Sequence, residues 1–182
     1  DIVLQTILKE KGLLDSVEIV YYNAVSDVQA LVASNEVKIA LIAEPSLTVL
    51  KSKVDNIETI IDCQAMWGEL YDVTSYPQAS VFIHHDLIEN APNTVNTLLK
   101  DIEASVTYAN ENPEAMAEEA IATGLDMPAA VIANSSKMSN LNYKSAKDAK
   151  AEIELYLQKL YEFQPNTIGG QLPDEDFYYL GK

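Results

Sequence analysis

The sequence predicts an α/β fold: a short, mainly parallel sheet flanked by helices in the first half, followed by a helical C-terminal segment. Apolar, β-branched runs at 17–22, 37–43 and 57–61 alternate with segments of helical periodicity, and strands separated by helices pair in parallel. The runs are almost continuously hydrophobic, as in a sheet that is covered on both faces. After one more predicted strand at 79–83, the pattern becomes helical.

Helix signals justify the other elements of the first half in order. Asp1 precedes an amphipathic helix that has lysines in its last turn and Gly12 as its stop. Ser26 suits the cap of a second helix, and Pro45 suits the first turn of a third helix at 46–53. The chain opens on a helix, so we expect that the strand before it belongs to upstream sequence.

Helical periodicity dominates the second half. A long helix is predicted over 94–110, Pro113 is placed to begin the next helix, and Pro128 a short one. The last helix, predicted over 147–163, should bury one apolar stripe and expose its charged side chains. Its expected core face is Ile153, Leu157, Leu160 and Tyr161, with Glu152 and Lys159 exposed.

The composition excludes several classes of function. The formal net charge of −16 repels nucleic acid and anionic lipid. All 12 basic residues are lysines, so the two-point grip of arginine on anions is missing. The single cysteine, Cys63, forms no internal disulfide. We expect a protein that binds no nucleic acid.

Several motifs occur together in a characteristic order. They are Ala43-Glu44-Pro45 after a predicted strand, Trp67-Gly-Glu-Leu70, Tyr76-Pro-Gln78 before a strand, and Asn-Thr-Ile-Gly-Gly-Gln-Leu-Pro-Asp-Glu-Asp-Phe-Tyr-Tyr at 166–179. In this order they resemble the solute-binding proteins of ABC importers for nitrate, sulfonates, taurine and thiamine-precursor pyrimidines. The resemblance runs from about Ala43 to Tyr179.

The resemblance implies a two-lobe binding protein of type II that closes on its ligand like a hinge. Residues 1–72 would form most of a second-lobe-like α/β segment, and residues 73–182 the return strand and C-terminal helices. The N-terminal part of the first lobe would be absent. The implied function is capture of a small solute for an ABC permease outside the membrane, without catalysis or a cofactor, and with self-association of the incomplete segment. The signal sequence is not in this chain.

The resemblance also points to ligand-binding residues. Glu44 follows a predicted strand end, where ligands bind in open α/β sheets, and would face the cleft between the lobes. Trp67 and Tyr76 lie in the predicted hinge and could stack on a ligand, although ordinary buried packing is the better explanation of each residue taken alone. Asn23 and Gln78 are weaker candidates for amide contacts.

Other reactive residues have ordinary explanations. His84 and His85 are neighbours on a predicted strand, so their rings should point to opposite faces and not share a metal ion. No local signature marks Cys63 as a nucleophile, and a free cysteine usually behaves as a small hydrophobic residue. We therefore predict no catalytic residue and no metal site.

Two other kinds of function stay open. The chain could be a sensing or thiamine-precursor-related enzyme domain on the same fold, although it carries no cysteine cluster. It could also be a pure interaction module. A small molecule bound without turnover would distinguish a binding protein from an enzyme, and neighbouring permease and ATPase genes would distinguish it from a module.

Overall fold

The computed structural model describes residues 1–181, and in this part of the chain it contains helices and no strand. None of these helices is long and apolar enough to cross a membrane. The α-helices are α1 Ile2–Glu10, α2 Val25–Ala33, α3 Ser46–Lys51, α4 Cys63–Tyr71, α5 His85–Asn90, α6 Pro92–Glu111, α7 Pro113–Ala122, α8 Ala129–Met138 and α9 Ala146–Phe163. Short 3-10 helices span Leu14–Ser16, Pro165–Ile168 and Glu175–Phe177.

The predicted parallel sheet is wrong, and with it the α/β fold class. The runs at 17–22, 37–43, 57–61 and 79–83 were predicted as strands but form no ladder within residues 1–181. Their apolar side chains are largely exposed, as in Phe82, which is 74% exposed. Strand propensity reflects packing on neighbouring strands more than an intrinsic backbone preference. These runs have the right composition but no partner within the described chain.

Helices predicted in the second half are present. The long helix at 94–110 is observed as α6, and α7 begins at Pro113 as its sequence indicates. The expected burial pattern of α9 is wrong, because no residue of α9 is fully buried. Glu152, expected to be exposed, keeps only 13% of its side chain accessible.

The chain divides into two compact units. The first unit contains 1–19, 59–92 and the described residues from 144 onward. In it α1 packs against α4 and α9. Its buried residues include Ile7 and Trp67. The first unit therefore holds the only tryptophan of the sequence in its core.

The second unit contains 20–58 and 93–143. Its core is the contact between α7 and α8, where Ala117 packs against Ile132 and Ala133. Alanines of both helices, including Ala120 and Ala129, take part in this contact. Helix α3 also packs against α8, and α2 against α3. The boundary near residue 72, predicted for the lobes of an intact binding protein, stays a prediction.

Candidate functional site

An aromatic cluster forms the centre of the first unit. Trp67 on α4 is 1% exposed, and its ring centroid lies 4.7 Å from that of Tyr71 and 5.4 Å from that of Tyr76. Tyr156 on α9 stacks on Tyr76 at 5.6 Å and meets Trp67 edge-on at 5.9 Å. Tilted and offset contacts at these distances are favourable for aromatic rings. Trp67 and Tyr76, both predicted as site residues, are thus brought together.

Trp67 also carries an unusual polar group. Its indole N–H is buried and has no acceptor among the described residues. A buried donor without a partner costs about 1–3 kcal/mol. Such groups are rare in native proteins, and each calls for an explanation, such as a bound water, an ion or a functional role. The indole N–H is therefore a reason to regard this cluster as more than packing.

The phenols of the cluster are neutral at physiological pH. Burial, with smaller contributions from Cys63 and Tyr156, raises the pKa of Tyr76 to about 12. Burial and then the charge of Glu10 raise the pKa of Tyr71 to about 12. Burial also raises the pKa of Tyr156. The cluster thus offers ring faces and neutral hydroxyls rather than phenolates.

Local sequence explains how α4 presents Trp67. The Asp62 carboxylate caps the helix by accepting the N–H groups of Gln64 and Ala65. Gly68 allows the chain after α4 to return closely, since a Cβ there would lie 2.8 Å from the Val73 carbonyl oxygen. Asp72 ends the helix in the left-handed conformation with φ 53°. The chain is thereby turned toward Tyr76.

Gln64 holds the backbone of Tyr76 at two points. Its side-chain amide donates to the Tyr76 carbonyl at 3.1 Å, and its side-chain oxygen accepts the Tyr76 N–H at 3.0 Å. One carboxamide thus satisfies both main-chain groups of this residue. A side chain of α4 thus holds the Tyr76 backbone in place.

A second polar network holds the residues just before Tyr76. The Glu152 carboxylate accepts hydrogen bonds from the backbone N–H and the hydroxyl of Thr74, and from the hydroxyl of Ser75. Lys144 donates to Glu152 at 2.7 Å and to the Thr74 hydroxyl at 2.7 Å. Burial alone would raise the pKa of Glu152, but the hydrogen bonds from Lys144 and Thr74 outweigh burial, and the pKa is lowered.

Glu44 lies in the second unit at the start of α3. It is half-buried, precedes Pro45 through a cis peptide bond, and its carboxylate accepts the Thr48 N–H at 3.1 Å. This contact stabilises the start of α3. It uses one carboxylate oxygen, and a carboxylate has further lone pairs for other donors.

The two weaker candidates lie on the surface of their units. Asn23 is exposed just before α2 in the second unit, and Gln78 is exposed two residues after Tyr76 in the first. Both amides are accessible to a ligand. Gln78 lies in the same segment as the aromatic cluster, whereas Asn23 and Glu44 belong to the other unit.

The remaining reactive residues are engaged locally. The His84 ring accepts the Asp86 N–H and caps α5, which lies where a strand end was expected. The His85 ring lies 3.2 Å from the Glu89 carboxylate. Burial, aided by Asp62, raises the pKa of the Cys63 thiol. Residues 1–181 contain no group of three or more His, Cys, Asp or Glu side chains arranged to hold a metal ion.

Sequence reasoning missed the polar residues that hold the cluster. Gln64 shows no motif of its own, although its place two residues after the capping Asp62 puts it in the first turn of α4. Tyr156 and Glu152 are far from Tyr76 in the sequence, and only the packing of α9 brings them near.

Comparisons with known proteins give one family match and one structural match. A family model described as NMT1/THI5 like matches residues 1–116. Curated proteins give no significant match. Among solved structures, the chain is similar to the crystal structure of an ABC transporter from Parabacteroides distasonis, with a TM-score of 0.82 and 19% sequence identity.

The coverage of that structural match is unequal. It includes 100% of this chain but 62% of the Parabacteroides distasonis chain. At this level of identity the match establishes the fold, and the chain spans under two thirds of the length of the matching protein.

Proposed function

Because the chain belongs to the NMT1/THI5-like family, we propose that it is the substrate-binding component of an ABC importer. It captures a small organic or anionic solute of the sulfonate, taurine, nitrate or pyrimidine class. The observation that supports the proposal most is the match of the whole chain to an ABC transporter structure at a TM-score of 0.82. In this proposal the protein works outside the membrane, delivers its solute to a membrane permease, and performs no chemical step on it.

Trp67 and Tyr76 are the proposed aromatic contacts for the ligand. Ring faces bind flat or apolar ligand groups without requiring charge. The unpartnered indole N–H of Trp67 would gain an acceptor from a ligand group that reaches it. Gln78, exposed in the same segment, would add an amide contact.

Glu44 is the proposed polar contact that selects the class of solute. A carboxylate accepts hydrogen bonds and repels anions, so it suits an amine or a ring N–H and not bare nitrate. The absence of arginine and the net charge of −16 also weigh against a bare anion. We therefore favour an aminopyrimidine or another nitrogen-containing organic solute, with Asn23 as an additional amide contact.

Calorimetric titration of the full-length gene product with 4-aminopyrimidine, taurine and nitrate tests this proposal. Loss of a hydrogen bond to a charged group costs roughly 1.5–3 kcal/mol, or about 10- to 150-fold in affinity. Glu44→Gln should lower the affinity for 4-aminopyrimidine by this amount. The control Glu58→Gln changes an exposed glutamate of the same unit and should leave affinity unchanged. Equal affinity in both variants would remove Glu44 from the site.

A further inference from the structure

We propose that Gln64 is a positioning residue of the binding site: by pairing with both main-chain groups of Tyr76, it sets the Tyr76 ring against Trp67. The inference rests on the proposed function in one respect, namely that Tyr76 contacts the solute. Its structural half, the placement of Tyr76 relative to Trp67, is independent of what the solute is.

Hydrogen-bond geometry ties the Tyr76 backbone to Gln64. The two hydrogen bonds from Gln64 to Tyr76, at 3.1 and 3.0 Å, run in opposite directions, as they do between paired strands. A single hydrogen bond leaves the bonded segment free to rotate. Two hydrogen bonds to one residue fix both the position and the direction of its backbone. Gln64 thus makes to Tyr76 the pair of main-chain hydrogen bonds that a neighbouring strand would make.

The backbone of Gln64 is itself held by the cap of α4. It lies in the first turn of α4, and its own backbone N–H donates to the Asp62 cap at 2.9 Å. Trp67 lies on the same helix and is 1% exposed. Gln64 and Trp67 therefore belong to one helix, and the amide ties the Tyr76 backbone to the helix that carries Trp67.

Gln64 and Glu152 bind different residues of the segment that leads to Tyr76. The Glu152 carboxylate holds Thr74 and Ser75 against α9, but no bond from Glu152 reaches Tyr76. Tyr76 is also the residue that stacks on Tyr156 and meets Trp67 edge-on. Without Gln64 the segment would stay attached through Glu152. The Tyr76 backbone, however, would lose both of its hydrogen bonds to Gln64.

The experiment compares Gln64→Met with Gln158→Met in the full-length protein. Methionine matches the length of glutamine but has no amide. Gln158 is the matched control, since its amide donates to the exposed Glu162 carboxylate on the same helix, α9. Trp67 is the only tryptophan, so its emission and its quenching by acrylamide report on the cluster directly. Gln64→Met should shift the emission to the red and raise quenching at least twofold, with no change in Gln158→Met.

The second readout is affinity for 4-aminopyrimidine in a double-mutant cycle with Tyr76→Phe and Tyr76→Ala. Gln64→Met should weaken binding about tenfold in the wild-type background and have little effect in the Tyr76→Ala background. A merely structural role would lower the melting temperature in both backgrounds and leave affinity below that temperature unchanged. Gln64→Glu keeps an acceptor for the Tyr76 N–H but sets a carboxylate oxygen against the Tyr76 carbonyl oxygen, so it should weaken binding at least as much as Gln64→Met.

Three results would overturn the inference: unchanged Trp67 emission and quenching in Gln64→Met, the same change in Gln158→Met, or unaltered affinity for a probe that Tyr76→Ala weakens. If wild-type protein binds none of 4-aminopyrimidine, taurine and nitrate, the proposed solute class fails instead. The Trp67 readout then decides alone whether Gln64 positions Tyr76.

Discussion

The Thr74 hydroxyl donates a 2.6 Å hydrogen bond to the carboxylate of Glu152, 78 residues later in the chain. Glu152 also binds the Lys144 ammonium at 2.7 Å. The carboxylate thereby connects the segment after α4 to the last long helix. Since this segment leads to Tyr76, Glu152 stabilises the first unit near its aromatic cluster.

We expect Glu152→Ala to destabilise the protein by about 1–3 kcal/mol, because it leaves Thr74 and Lys144 without their acceptor. Urea unfolding followed by circular dichroism measures the loss. Glu154→Ala is the control on the same helix, where an exposed carboxylate lies 3.7 Å from Lys150, and it should cost less than about 1 kcal/mol. Equal effects in the two variants would contradict the network.

The lowered pKa of Glu152 also predicts a pH dependence. The carboxylate is more acidic in the folded state than its ordinary value of 4.5. Its stabilisation is therefore present above pH 4.5 and is lost as pH falls through the folded pKa. Unfolding midpoints between pH 7 and 3 should fall more in wild type than in Glu152→Gln. Parallel curves for the two proteins would show that Glu152 makes no such contribution.

Tyr71 and Tyr76 predict a loss of stability at alkaline pH. Their pKa values rise from 10 in the unfolded chain to about 12 in the folded protein. The folded state thus favours the protonated phenols, and this stabilisation is complete below pH 10 and lost as pH rises toward 12. Absorbance at alkaline pH should show late-titrating phenols, and Tyr71→Phe and Tyr76→Phe should each remove one of them. Titration of all tyrosines near pH 10 would be inconsistent with their burial.

Gly68→Ala should be destabilising, against the usual trend. In an ordinary helix interior, alanine is more favourable than glycine by about 0.5–1 kcal/mol. Here the added Cβ would lie 2.8 Å from the backbone oxygen of Val73, and overpacking of this kind costs about 1–3 kcal/mol. Glu69→Ala, an exposed site on the same helix, serves as control. A stabilised Gly68→Ala protein would show that the chain after α4 does not return as closely as described.

The sequence predicted the elements whose signals lie within the element itself. It did not predict features that depend on contacts with distant residues. Helices with their own caps and periodicity, such as α6 and α7, were found because Pro113 and the apolar stripe lie within them. The strands at 17–22 and 79–83 failed, because a β-branched run needs a partner that composition does not reveal. The sequence singled out Trp67 and Tyr76, but not Tyr156 or Gln64, whose roles arise from tertiary contacts.

The most direct test of the account is equilibrium binding of 4-aminopyrimidine to the purified full-length gene product, followed by recovery and chemical analysis of the bound molecule. The account predicts saturable binding that is weakened by Glu44→Gln and Tyr76→Ala, with the solute released unchanged. Conversion of the pyrimidine to another compound would instead show that the protein is an enzyme. Binding unaffected by both substitutions would contradict the proposed site.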